Sequence, residues 1–260
     1  MISLTTAEIN AWIVAYFFPL ARVLAVLAAA PPFNSPALPA LTRLMLGLAI
    51  SLAIVPGLPG MTPLDPASGA GLLLLAEQLL IGLAMGFSMR LVFSAVDLAG
   101  SFISLQMGLG FASFYSPQTA GQTAVVSEFM GLLAVLLFMA MNGHLMIIAT
   151  LAHSFSVLPL GRQNLAADVW WRLASSGAIV FSAGLLLALP VVVALMISNL
   201  ALAVLSRAAP QLNLIAIGFP LTIALGFAAL MFAMSNLGAP LQQLFEYGLE
   251  SILGPFAKAA

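Results

Sequence analysis

The chain has 260 residues, 63% of them hydrophobic and 6% charged, with seven basic and eight acidic side chains and a net charge near −1. An average soluble domain is about 25% charged, so these side chains cannot cover a water-facing surface of this size, and the chain reads as an all-α integral membrane protein. The single lysine, Lys258, leaves no basic footprint for nucleic acid, and the lack of cysteine removes disulfides and thiolate chemistry.

Crossing a hydrocarbon core takes about 20 apolar residues. About six segments qualify: roughly 11–31, 40–58, 70–107, 124–155, 173–205 and 212–235. Met1 to Asn10 carries only Glu8, without the positive start of a cleaved signal, so the first segment reads as retained. The second closes on Pro56, Gly57, Pro59 and Gly60. The third is long, either one helix with an amphipathic extension or a tight helical hairpin. The fifth contains Pro190, which removes a backbone bond and should kink it.

Residues 236–254 are amphipathic rather than spanning. Leu241, Leu244, Phe245, Leu249 and Ile252 recur at helical spacing, with Glu246 and Glu250 on another face. No internal repeat is visible, so 1–260 is assigned as a single membrane domain. With six spans the Lys and Arg bias across the membrane is three against two, which does not orient the chain.

Arg22, Glu77, Arg90, Asp97 and Glu128 lie within or at the edges of apolar runs. A charge at the bilayer centre costs about 2.5–3.5 kcal/mol on insertion scales, so such groups face protein, a polar cavity or headgroups. They support either a solute path, as in a small-solute secondary transporter, or neutralisation by neighbouring subunits and lipid. Gly82 and Gly86, four apart, form a small-residue packing face, and Gly177, Ala178, Ser182 and Ala183 cluster similarly. Both clusters fit bundle packing within one chain as well as subunit assembly. The methionines fit flexible packing, although Met85, Met89, Met139, Met141 and Met146 would suit a deformable seal.

Enzymatic signatures are missing. His144 and His153 are nine apart, on opposite faces of a helix, and neither belongs to an HExxH arrangement. No nucleophile turn and no usefully spaced carboxylate pair occur, so no catalytic residue, metal ligand or cofactor is assigned. The stretch from Leu105 to Thr123, LQMGLGFASFYSPQTAGQT, is unusual in another way. Gly108, Gly110, Pro117 and Gly121 break it into a loop, yet no charge occurs between Asp97 and Glu128. A loop carrying Phe111, Phe114 and Tyr115 and no charge asks for surroundings other than water.

Three stretches together resemble the FliR family of flagellar export-gate subunits, whose injectisome relatives are the SctT proteins. They are QMGLGFASFYSPQ (Gln106–Gln118), LLFMAMNGHLMIIATLAHSFSVLPLG (Leu136–Gly161) and SRAAPQLNLIAIGFPLTIALG (Ser206–Gly226). The resemblance implies helical hairpins that stack with sister subunits FliP and FliQ around a pore, with FlhB on the cytoplasmic side. It implies a non-enzymatic, multi-pass component of the bacterial inner membrane and flagellar basal body, passing unfolded flagellar subunits. A virulence-type gate is the variant reading. The family's pore plug falls on Gly108, Gly110, Phe111, Phe114 and Pro117. Asn142, Gly143, His144, Arg207, Pro210, Gln211, Asn213, Gly218 and Pro220 match architectural motifs. Ser116 stands where an acidic residue is common, and Leu214-Ile215 replaces a frequent valine-phenylalanine pair.

Overall fold

The computed structural model describes residues 6–58, 68–109, 124–161, 167–209 and 214–257, and within them every regular element is a helix. In chain order these are α1 (Thr6–Ala29), α2 (Ala40–Ile54) with a short 3-10 turn at Val55–Gly57, and α3 (Gly69–Gln106). Next come α4 (Val125–Ala140), α5 (Gly143–Val157), α6 (Ala167–Ser176), α7 (Ala178–Ala208), α8 (Leu214–Met234) and α9 (Gly238–Ala257).

α3 shows how local sequence sets an element. Its 38 residues contain no proline, and the commonest among them is Leu, a good helix former. Ser68 caps the start, its Oγ accepting from the Gly71 N–H at 3.1 Å. The end is a Schellman motif. Gly108 takes φ +79°, its N–H donates to Leu105 O at 3.0 Å, and the Leu109 N–H reaches back to Ser104 O at 3.1 Å. The third apolar segment is therefore one helix and not a hairpin. At 1.5 Å per residue it is about 57 Å long, nearly twice a hydrocarbon core.

The chain divides into two compact units that interleave in sequence. The first takes Met1–Arg90, Met141–Ser176 and Glu246–Ala260. Its centre is α1, where Val14, Phe18, Val23, Val26 and Leu27 are buried. α2 packs on α1 at Gly47, where a Cβ would lie 2.5 Å from Leu24 Cδ2. The first half of α3 packs on α1 through Gly82 and Gly86. A Cβ on Gly82 would sit 2.5 Å from the Arg22 carbonyl oxygen, and one on Gly86 2.6 Å from Ala29 Cβ. That small-residue face thus serves packing inside the chain. Met85 and Met89 are core side chains of this unit, with essentially no exposure.

The second unit takes Leu91–Ala140 and Gly177–Phe245. Phe93 of α3, Phe138 of α4 and Phe245 of α9 form a three-ring cluster with centroids 5.2–5.5 Å apart. Such edge and tilted contacts add to the area the rings bury. α7 packs against α8. Glycines again set the closest approaches. Gly184 of α7 lies against Ala95 O and Leu98, and Gly100 of α3 lies against the backbone of Ser127 in α4. There Ser127 Oγ donates to Asp97 O at 2.7 Å. The two helices that flank the charge-free loop are therefore clamped together close to it.

Among the described residues, three stretches are long and apolar enough to cross a membrane: Ala40–Gly57, Gly69–Gln106 and Asp168–Ala208. Two further pairs qualify only as bent spans. Val125–Ala140 and Gly143–Val157 meet at 66°, and Gly218–Met234 and Gly238–Phe256 at 67°. The expected span over 124–155 is thus broken, because Asn142 adopts the left-handed conformation (φ 57°) between its two halves. The described apolar part of α1, Val14–Ala29, is shorter than a full crossing. α7 stays helical through Pro190, and α9 follows the expected amphipathic pattern, with Leu241, Leu244, Phe245 and Ile252 buried and Glu246 and Glu250 exposed.

Since a side chain at position 100 would meet the Ser127 backbone, Gly100→Val is expected to destabilise the second unit by about 1–3 kcal/mol, the range for overpacking. Gly218→Ala, with open space around its Cβ, is the control and should be neutral or stabilising by up to ~1 kcal/mol. Denaturant or thermal unfolding of the two variants in detergent separates the outcomes.

Candidate functional site

The feature to be placed is the loop between α3 and α4, and the described residues give its base. Met107, the last buried residue before it, has no exposure and lies over Gly226 of α8, where a Cβ would come 2.5 Å from Met107 Cγ. Thr222, one turn earlier on α8, has its Oγ1 3.0 Å from Phe219 O and 3.5 Å from Met107 O. Gly108 then turns the chain out of the helix in a conformation that a side-chain-bearing residue resists. With the Gly100–Ser127 contact, the described residues on either side of 110–123 are held by three helices, α3, α4 and α8. An open and mainly apolar groove of about 580 Å³ is lined by Gln106, Val193, Met196, Ile197, Asn199 and Leu200.

The other built arrangement belongs to the first unit. Arg22 is completely buried. Its Nε donates to Gln78 Oε1 at 2.8 Å, Nη1 to Ser154 O at 3.2 Å and to Ser154 Oγ at 3.1 Å, and Nη2 to Leu158 O at 2.9 Å. The guanidinium also lies 4.2 Å from the Phe155 ring centroid. α5 ends at Val157, so these carbonyls belong to its last turn and C-cap. Ser154 O also accepts from the C-cap N–H of Leu158 at 2.8 Å, and both carbonyls lie at the negative end of the helix dipole. Arg22 thus supplies a positive cap from another helix, and the ring face adds a cation–π contact. No carboxylate takes part in these contacts. The charge is balanced by dipoles, with Gln78 on α3 as the third point of attachment.

A family model described as bacterial export proteins, family 1, matches residues 13–248 of the chain. The chain is 41% identical over 240 residues to the flagellar biosynthetic protein FliR of Escherichia coli K12, covering 92% of this chain and 91% of that one. It is 40% identical over 231 residues to the FliR of Pectobacterium carotovorum, covering 88% of each chain. It is 32% identical over 245 residues to that of Aquifex aeolicus, covering 90% and 93%. This chain belongs to the FliR family.

Of the residues that the family motifs mark, Gly108 is the helix-ending glycine described above. Gly110, Phe111, Phe114 and Pro117 lie outside the described residues, as do Pro210, Gln211 and Asn213. Asn142 makes the left-handed break between α4 and α5, and its carbonyl accepts from Leu145 and Met146 at 2.9 and 3.1 Å. Gly143 opens α5, with His144 following it. Arg207 sits exposed in the last turn of α7, where a cation suits the helix dipole. Gly218 and Pro220 are in α8.

The five intramembrane charges separate into kinds. Arg22 is sealed in the core and Glu77 is half-buried, whereas Arg90, Asp97 and Glu128 are exposed on this FliR-family chain. They therefore do not line a common interior path in either unit. Asp97 lies against Gly131 of α4, where a Cβ would lie 3.0 Å from Asp97 Oδ1.

Sequence reasoning missed Gly100, Gly184 and Gly226, along with Met107, Ser127, Gln78 and Ser154. The isolated glycines inside long apolar helices were a legible signal, because such a glycine weakens a helix unless a close approach needs it. Gln78 and Ser154 could not be matched to Arg22 across 56 and 132 residues of chain.

Arg22→Lys keeps the charge but loses the fork that reaches Gln78, Ser154 and Leu158 together. The expected outcome is a loss of about 2 kcal/mol or more, given about 1.5–3 kcal/mol for a hydrogen bond to a charged group. Protease sensitivity near the C-terminal end of α5 should rise with it. Unchanged unfolding and unchanged cleavage would contradict the capping role.

Proposed function

We propose that this FliR-family chain lines and plugs the pore of the flagellar type III export gate in the bacterial inner membrane. Family membership makes it a membrane-embedded subunit of the flagellar type III export apparatus. The reading goes further in its neighbours and mechanism. The neighbours are the sister subunits FliP and FliQ together with FlhB, the cargo is unfolded flagellar subunits, and the chain itself catalyses nothing.

The observation that carries the plug is the combination of a charge-free Gly/Phe loop with a clamped base. Phe111 and Phe114 can seal a pore by packing and dewetting, as hydrophobic constrictions do in channels. Gly108 and Gly110 allow the backbone to fold aside for a passing chain. The stem at Gly100, Ser127 and Met107 gives the loop a fixed point from which to move. Partnership is supported by the exposed surface. Large apolar side chains such as Leu72, Phe181, Leu200 and Phe232 are 62–73% exposed. Asp97 and Glu128 stand on the surface of the second unit, where polar groups of a neighbouring subunit can meet them.

Phe111→Ala combined with Phe114→Ala should make cells expressing the assembled gate leaky to ions or small solutes, read by a membrane-potential dye. A membrane that stays tight, with the variant still incorporated into the complex, would contradict the plug.

A further inference from the structure

In the second unit, α3 and α4 cross where Gly100 meets the backbone of Ser127, and the crossing is shaped around one carboxylate. Asp97 stands inside α3, where no helix end favours its charge. Its backbone carbonyl accepts two serine hydroxyls, Ser101 Oγ at 2.9 Å and Ser127 Oγ at 2.7 Å. Its Oδ1 lies in a notch at Gly131 of α4, where a Cβ would come 3.0 Å away. A glycine inside a helix weakens it unless a close approach needs the space. Gly82, Gly86, Gly100 and Gly184 give that space to backbone or apolar neighbours, whereas Gly131 gives it to a carboxylate.

The unit supplies nothing to neutralise that acid. Asp97 forms no ion pair among the described residues, and the hydrogen bonds it accepts go to its backbone oxygen. The sequence of the unit holds one basic side chain, Arg207, and no histidine. Arg207 stands in the last turn of α7. At 1.5 Å per residue it is about 35 Å along that helix from Gly184, the residue that packs on Ala95 and Leu98. Arg90 precedes Asp97 on α3 by about 10 Å along the axis and forms no ion pair with it. Glu128, the other acid of the unit, is in the first turn of α4, where the helix dipole favours it. Asp97 has no such local reason for its charge.

The face around Asp97 is apolar. Leu105, two turns on along α3, and Leu132, next to Gly131 on α4, are both largely exposed. Water is a poor neighbour for such a face, and lipid would leave the carboxylate unpaired at high cost. A protein surface that carries a cation among apolar side chains suits both parts.

We propose that Asp97 is the docking point for a lysine or arginine side chain of a neighbouring export-gate subunit, borne on a helix that is otherwise apolar where it meets α3 and α4. The proposal rests on the reading above that this chain works beside other subunits. The two serines pin the backbone at Asp97, and Gly131 keeps a place for its carboxylate. The acid is therefore set before the partner arrives and loses little freedom on pairing. Charge complementarity at this one point also fixes the register of helices that apolar contact alone would let slide.

The test uses the full chain, tagged and expressed with the other export-gate subunits, and quantifies the subunits that co-purify in mild detergent. Asp97→Asn keeps the size of the side chain and removes its charge. Recovery of the neighbouring subunit should fall at least tenfold, because the partner's cation is left unpaired. The same variant purified without partners should unfold as wild type does, since the carboxylate bonds to nothing in its own unit. Earlier unfolding together with lost recovery would overturn the proposal in favour of a role inside the chain. Asp97→Lys should abolish motility, and selected revertants should carry a lysine or arginine changed to an acid in another subunit; revertants confined to this chain would overturn the proposal. So would equal recovery by Asp97→Asn and wild type, because an acid that is protonated or solvated tolerates the amide. Wild type that recovers no other subunit would remove the partnership itself, a failure separate from that of Asp97.

Discussion

Inside a bilayer an apolar side chain gains little by exchanging a lipid neighbour for a protein one, so helices associate through contact area and a few shared hydrogen bonds. α3 is built around that constraint. Gly82 and Gly86 bring it against the backbone of α1, and Gly100 brings it against that of α4. Gly184 lets α7 come onto it at Ala95 and Leu98. Each contact is one that a Cβ would obstruct. Single hydrogen bonds then fix the register, as Ser127 Oγ does on Asp97 O. Remove the glycines and the helix keeps its propensity but loses its neighbours.

Polar groups in the core follow the same economy. Arg22 is satisfied without an acid, by the carbonyls that end α5 and by Gln78. A carboxylate partner would bring a second charge to desolvate, whereas the carbonyls at a helix end are neutral and carry the negative end of its dipole. The same group of contacts fixes three helices, α1, α3 and α5, in one unit. The exposed charges are of another kind. Arg90, Asp97 and Glu128 lie on faces that carry large apolar side chains as well, which is what a subunit surface awaiting neighbours looks like.

The class, the helical content and most segment limits were legible because apolar run length is a local property. The amphipathic α9 followed from the spacing of Leu241, Leu244 and Phe245. Gly108 read correctly as a breaker, because a glycine ending a long apolar run is a local signal too. What could not be read depended on distance along the chain. Nothing near Arg22 announces Ser154, and nothing near Met107 announces Gly226. The broken span at Asn142 was hidden by apolar residues on both sides, since hydropathy does not register a single left-handed residue. The long third segment stayed ambiguous between one helix and two until the cap at Ser68 and the turn at Gly108 bounded it.

We propose that the residues after Gly108 meet the exported chain on its path through the gate. The direct measurement is site-specific photo-crosslinking to an export substrate stalled in transit, with the crosslinker at position 111 or 114 and, for comparison, at Leu72. Leu72 is 62% exposed on α3, well away in sequence from the loop. Crosslinks to the substrate from 111 and 114 and none from 72 are predicted. Crosslinks to sister subunits alone from the two loop positions, with the substrate demonstrably stalled in the gate, would contradict it.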